Sequence, residues 1–198
     1  MELISNINPL ELIAVVTGII SVWLAKKENV WLYPVGIISV VLWLYLCWIG
    51  SLFGQSVINL FFLAMNVYGW YNWLRRDVNN QPDVKIKYNS KKQNFIVFAV
   101  VTILAILTFM VLKTVQNENA ILFFIFIESI ITALNFVAIW LMAWKKIEHW
   151  ILWITGDILC IPLFIHKDYN LGVVQFLVYI LISTLGYMEW KKKVLAKS

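Results

Sequence analysis

The sequence predicts an all-α integral membrane protein. Its expected plan is seven transmembrane helices, arranged as two parallel three-helix repeats joined by a connector helix (3+1+3). Three observations predict this. Of 198 residues, 62% are hydrophobic and 14% charged, against roughly 45–50% and about 25% in soluble domains. Apolar runs approaching the roughly 20 residues of a helical span occur seven times, near 10–25, 31–49, 52–74, 95–112, 121–143, 150–165 and 172–190. Finally, matching residues recur at a constant offset of 117 positions. Helix is the spanning element because lipid offers no partners to backbone N–H and C=O groups.

Span 1 follows MELISNINPLEL, which has neither a basic n-region nor a small-residue cleavage site, so a retained first helix is expected. Lys26-Lys27-Glu28-Asn29 separates spans 1 and 2, and Gly50-Ser51 separates spans 2 and 3. A polar stretch from Arg75 to Asn94 precedes span 4. The remaining breaks are Lys113 to Asn119, Lys145 to His149, and His166 to Asn170. Spans 1 and 6 are short and require tilt or local thinning. Three regions follow: 1–76 as the first three-helix repeat, 77–119 as a cytoplasmic loop plus connector, and 120–198 as the second repeat with a basic tail.

Seven spans place the termini on opposite sides. Fourteen of the sixteen Lys and Arg then fall on the side of the C-terminus, leaving Lys113 and Lys167 opposite. This asymmetry predicts an outside N-terminus and a cytoplasmic C-terminus. It also accounts for the net charge of +5 without nucleic acid.

The offset of 117 pairs Gly69 with Gly186, Trp73 with Trp190, Glu11 with Glu128 and Trp23 with Trp140. Leu24–Glu28 matches Ala143–Glu148 with a small insertion. Four matches in one order indicate duplication. Spans 1 and 5 cross in the same direction, so the repeats are parallel, a design that puts a binding site near the bilayer midplane.

Polar groups inside a span are costly, so each one calls for a reason. At about 100° per residue, Gln55, Asn59, Asn66 and Trp73 lie within about 40° on span 3. Trp150, Trp153 and Asp157 lie within about 60° on span 6, as do Glu128, Thr132 and Asn135 on span 5. Gln175 and Tyr179 are one turn apart on span 7. The bland alternative for such Asn and Gln is an interhelical hydrogen bond. The expected substrate-binding set is Gln55, Asn59, Asn66, Asn135, Trp150, Trp153, Asp157, Gln175 and Tyr179.

Glu11 and Glu128, near outer span ends, are expected to reach water. Trp23, Trp70, Trp73, Trp140, Trp144 and Trp190 are expected to form an interfacial belt. Pro34 and Pro162 are expected to bend the second helix of each repeat.

Asp157 is the key residue, because no Lys or Arg lies within any of the seven runs to neutralise it. Either it is protonated or its counter-charge arrives with a ligand. A cationic aromatic ligand suits the set, since indole faces attract cations. No metal is expected: His149 and His166 sit at span ends, and Cys47 and Cys160 lack metal-ligand spacing. No cofactor motif is present. There is no G-x-x-x-x-G-K-[ST] run, so a substrate-capture subunit of an ATP-driven transporter, the rival class, would borrow its ATPase. An enzyme is not expected, because no Ser–His pairing supplies a nucleophile with its base.

Asn66-Val-Tyr-Gly-Trp-Tyr-Asn-Trp73 looks like an N-x-Y-G-W-x-x-W motif, and Trp150-Ile-Leu-Trp153 like a W-x-x-W motif. Over nearly its whole length the chain resembles the PnuC family of vitamin transporters, best known for nicotinamide riboside. The 3+1+3 layout is similar to that family's and to a duplicated SWEET architecture. The resemblance implies a homotrimer in the bacterial inner membrane with one substrate path per protomer. It implies facilitated diffusion, with trapping through phosphorylation by a cytoplasmic kinase. By motif, Asn66, Trp150 and Trp153 inherit a substrate-cavity role; Asn59 and Gln175 join them from position and stripe geometry. One departure stands out, in that members associated with nicotinamide riboside can carry Asn where this chain has Asp157. Relatives carry thiamine, riboflavin or deoxynucleosides. Nicotinamide riboside and thiamine both hold a permanently positive ring, so these are the expected substrates, in that order.

Overall fold

The computed structural model describes residues 8–50, 53–115, 121–166 and 170–196. Seven α-helices are seen: α1 (Pro9–Lys26), α2 (Leu32–Ile49), α3 (Phe53–Leu74), α4 (Lys91–Val115), α5 (Leu122–Ala143), α6 (Glu148–His166) and α7 (Asn170–Leu195). Among the described residues, six are long and apolar enough to cross a membrane, and α3 falls short. Its Gln55, Asn59, Asn66 and Asn72 lower its hydropathy. The chain divides into two compact units, residues 1–85 and 86–198.

In the first unit, α1 begins with the Asn8 side chain accepting from the Leu10 N–H at 3.0 Å, followed by Pro9 at the first helical position. Both relieve the unpaired N–H groups of a helix start. Small residues face the helix partners. Ser39 Oγ donates to the Ala14 carbonyl at 2.7 Å, and Ser21 Oγ to the Leu32 carbonyl at 2.8 Å. In lipid, such close packing and interhelical bonds replace the hydrophobic effect that joins helices in water. The segment after α3 folds back on itself. Asp77 Oδ1 accepts from the N–H groups of Asn79 and Gln81, and Arg75 pairs with Asp83 at 2.7 Å.

In the second unit, Ser90 and Gln93 cap α4 reciprocally: Ser90 Oγ accepts from the Gln93 N–H, and Gln93 Oε1 from the Ser90 N–H. No residue of α4 is buried. By contrast α5 buries eleven of its twenty-two residues, from Ile125 to Ala143. Between α5, α6 and α7 a core of Ile131, Cys160 and Leu163 packs with Phe124, Phe164 and Phe176.

The α1–α2 and α5–α6 turns are built alike. Glu28 (φ 59°) and Lys145 (φ 50°) occupy the left-handed region that side chains rarely adopt. Glu28 N donates to the Ala25 carbonyl and Asn29 N to Leu24; Lys145 N donates to Met142 and Lys146 N to Leu141. Every pair is 117 residues apart. The turn geometry therefore aligns Glu28 with Lys145 without the insertion that the Lys-Lys-Glu match requires.

The tryptophans divide. Trp23, Trp70 and Trp140 are exposed, and the Trp23 ring lies under Lys26 Nζ at 4.0 Å, as a belt residue should. Trp73 and Trp190, expected in the belt, are instead buried at 6% and 0% exposure. Each meets edge-on an aromatic ring from the neighbouring helix, Trp73 that of Tyr33 and Trp190 that of Trp150.

Candidate functional site

In both units an aromatic ring from one helix lies on a glycine of the next. A Cβ on Gly69 would stand 2.5–2.6 Å from the Tyr33 ring and hydroxyl; one on Gly186 would stand 2.6–2.9 Å from the Trp150 indole. Tyr33 meets Trp73 edge-on at 5.3 Å and 90°; Trp150 meets Trp190 edge-on at 5.7 Å and 88°. Edge-to-face packing of this kind is favourable for aromatic quadrupoles. Tyr33 and Trp150 are themselves 117 residues apart.

The polar stripe on α3 does not stay together. Gln55 is exposed. Asn59 Nδ2 donates to the Gln55 carbonyl at 2.9 Å and approaches Cys47 Sγ at 3.9 Å. Asn66 is buried, with its Nδ2 donating to the Phe62 carbonyl at 2.9 Å and its Oδ1 turned to Gly36. Asn66 and Trp73 thus serve the α2–α3 contact, while Gln55 and Asn59 lie toward the start of the helix.

The second unit brings more of the set together. Trp150 is wholly buried, and Trp153, also on α6, is half-buried. Their rings meet edge-on at 5.7 Å. Asp157 follows Trp153 by one turn and is 9% exposed. Among the described residues it makes no hydrogen bond or ion pair. Gln175 Nε2 donates to the Tyr179 hydroxyl at 2.9 Å, leaving the phenolic hydrogen free to donate elsewhere. Asn135 of α5 turns its Oδ1 toward Gly156, next to Asp157. Glu128 and Glu11 are half-buried.

Two features escaped the sequence. His149, read as a span-end residue, is 0% exposed at the centre of the aromatic cluster. Its ring lies 4.4 Å from Trp150, 5.2 Å from Trp153 and 4.9 Å from Trp190. The offset was the available clue, because it places His149 opposite apolar Leu32, also buried. The second feature is a strap. Lys87 N donates to the Lys145 carbonyl and Ile147 N to the Lys87 carbonyl, both at 3.2 Å. Lys146 Nζ reaches the Tyr88 carbonyl and Gln93 Oε1, and the Asn89 N–H donates to Glu148 Oε1 at 2.8 Å. Burial and the neighbouring Lys87 lower the Lys146 ammonium pKa from its usual range, against the pull of Glu148.

Helices this long and apolar define a multi-pass membrane protein. Comparison with known proteins makes this specific. The family model described as "Nicotinamide mononucleotide transporter" matches residues 8–192, and the chain belongs to that family. It is 25% identical to the nicotinamide riboside transporter PnuC of Escherichia coli, covering 93% of this chain and 86% of that protein. It is 22% identical to the riboflavin/roseoflavin transporter RibM of Streptomyces davaonensis, over 91% and 83% of the two chains. The crystal structure of the vitamin B3 transporter PnuC is similar with a TM-score of 0.76 at 25% identity, covering 96% of this chain and 83% of that one.

Proposed function

We propose that this protein carries nicotinamide riboside across the bacterial inner membrane by facilitated diffusion, with phosphorylation inside the cell trapping the vitamin. One observation carries the choice of substrate: half-buried Trp153 stands one turn from a buried carboxylate with no partner among the described residues. The pyridinium ring of nicotinamide riboside is flat and permanently charged. Trp153 stacks on it, Trp150 backs Trp153, and Asp157 faces the charge. Asn135, Gln175 and Tyr179 of the second unit bond the ribose hydroxyls or the amide; Gln55, Asn59 and Asn66 are substrate-binding candidates within the first unit. Likeness to a nicotinamide riboside transporter over 93% of the chain supports the same substrate. Thiamine is the second reading, because its thiazolium ring also answers Asp157. A neutral isoalloxazine does not use that carboxylate.

The organisation belongs to this proposal too: repeats at 1–76 and 120–198, the loop and connector at 77–119, the N-terminus outside, and a homotrimer. The matching turns and the ring-on-glycine contacts at a constant offset support the 3+1+3 plan. In it α3 is a span as well, with Asn66 and Asn72 buried.

The test is calorimetric titration with nicotinamide riboside and, separately, thiamine, repeated on Asp157→Asn. The variant is expected to bind about fivefold more weakly, close to 1 kcal/mol. An unchanged affinity removes the counter-charge role of Asp157. If neither vitamin binds, the cationic-ring reading falls. Uptake into liposomes by the purified chain alone rules out the ATP-driven alternative.

A further inference from the structure

We propose that His149 is a positioning residue that fixes the plane of Trp153 for ligand stacking; this rests on the stacking role given to Trp153 above. The near side of the imidazole faces backbone. Nδ1 lies 2.6 Å from the Lys146 carbonyl. A carbonyl only accepts, so Nδ1 carries the hydrogen and donates it. That carbonyl belongs to the α5–α6 turn, which the strap from Lys87 to Gln93 holds through five hydrogen bonds. One edge of the imidazole is therefore anchored to a pinned piece of backbone.

The far side is held differently. Among the described residues neither His149 Nε2 nor Trp150 Nε1 has a hydrogen-bond partner. The ring packs instead among three indoles, those of Trp150, Trp153 and Trp190. If the residue only satisfied the turn, a short polar side chain would do. The ring is what spans from the Lys146 carbonyl to Trp153, which it meets edge-on at 87°.

The first unit supplies a comparison within the same molecule. It keeps the ring-on-glycine pair (Tyr33 on Gly69) and its edge-on tryptophan (Trp73). At the positions of His149 and Trp153 it has Leu32 and Gly36. Ring-on-glycine packing thus proceeds without a histidine where no outer tryptophan is present. Histidine accompanies the added indole. Trp153 is half-buried and so needs a support on its inner edge to hold one orientation, since an indole free to turn loses entropy when a ligand orders it.

The test is a double-mutant cycle in ligand affinity. His149→Leu installs the residue of the equivalent position 32, and His149→Asn keeps a donor for the Lys146 carbonyl without the ring, which serves if the leucine variant does not fold. Nicotinamide riboside is titrated into the purified wild type, His149→Leu, Trp153→Ala and the double variant. Expected is about fivefold weaker binding in His149→Leu, and less than a twofold further change when His149→Leu is added to Trp153→Ala. Losses that multiply in the double variant overturn the proposal, because His149 would then act independently of Trp153. Wild-type affinity in the folded single variant overturns it as well. Failure of Trp153→Ala to weaken binding, or of the wild type to bind, overturns instead the stacking reading on which the proposal stands, and the proposal with it.

Discussion

Trp153→Ala is expected to weaken nicotinamide riboside binding tenfold or more, with little change in melting temperature. Loss of one aromatic–ring stack costs roughly 1–3 kcal/mol in other systems, and about 1.4 kcal/mol is a factor of ten in affinity. The stability expectation follows from geometry. Trp153 is half-buried and meets two aromatic rings edge-on, at 5.2 Å to His149 and 5.7 Å to Trp150. Removing it opens no sealed cavity. Trp150→Ala is expected to behave otherwise: that ring is 0% exposed and rests on Gly186, so the variant should lose fold stability first. Calorimetry and thermal unfolding in detergent, measured on both variants, separate the two tryptophans. Wild-type affinity in Trp153→Ala would remove it from the site.

The second large effect concerns stability. Gly186→Val should destabilise the second unit by about 1–3 kcal/mol or more, the range for forcing extra carbon into a packed interior. The first added carbon alone would stand 2.6–2.9 Å from three atoms of the Trp150 indole. That indole cannot withdraw, because His149 lies against it at 4.4 Å and Trp190 at 5.7 Å. The helices must separate instead. Gly69→Val should act alike in the first unit, against Tyr33. Gly156→Ala is the control: its nearest neighbour is the end of a flexible side chain, Asn135 Oδ1 at 3.3 Å, and it should be mild. Thermal melts of the three variants check this, and a Gly186→Val protein that melts like the wild type would show that close approach is not what joins α6 to α7.

The matches at an offset of 117 have a physical counterpart in packing. Identity at the offset is sparse, yet the same backbone turn and the same ring-on-glycine contact appear in both units. Tyr33 and Trp150 differ as residue types but are used alike, as flat rings seated where no Cβ intrudes. Sequence comparison by identity passes over such a pair. Geometry finds it because packing depends on shape more than on the name of the side chain.

Composition and the seven apolar runs were enough to place all seven helices within a few residues, because lipid makes helix the only open-ended way to pair backbone groups. The position of Asp157 among apolar residues on the tryptophan-bearing face of α6 was legible for the same reason: a lone charge in a span is costly wherever the rest of the fold lies. The division of labour within each stripe was not legible. Helical periodicity puts Asn66 with Gln55, and Trp150 with Trp153, but says nothing of which neighbour each will meet. Only tertiary packing seated Trp150 on Gly186 and left Trp153 half open. It also drew Trp73 and Trp190 out of the expected belt into the interior, and gave His149, a residue at a span end, the centre of the aromatic cluster. The reason is that face and depth are properties of one helix, read from its own sequence, whereas burial is a property of two helices and is settled by what the second one presents.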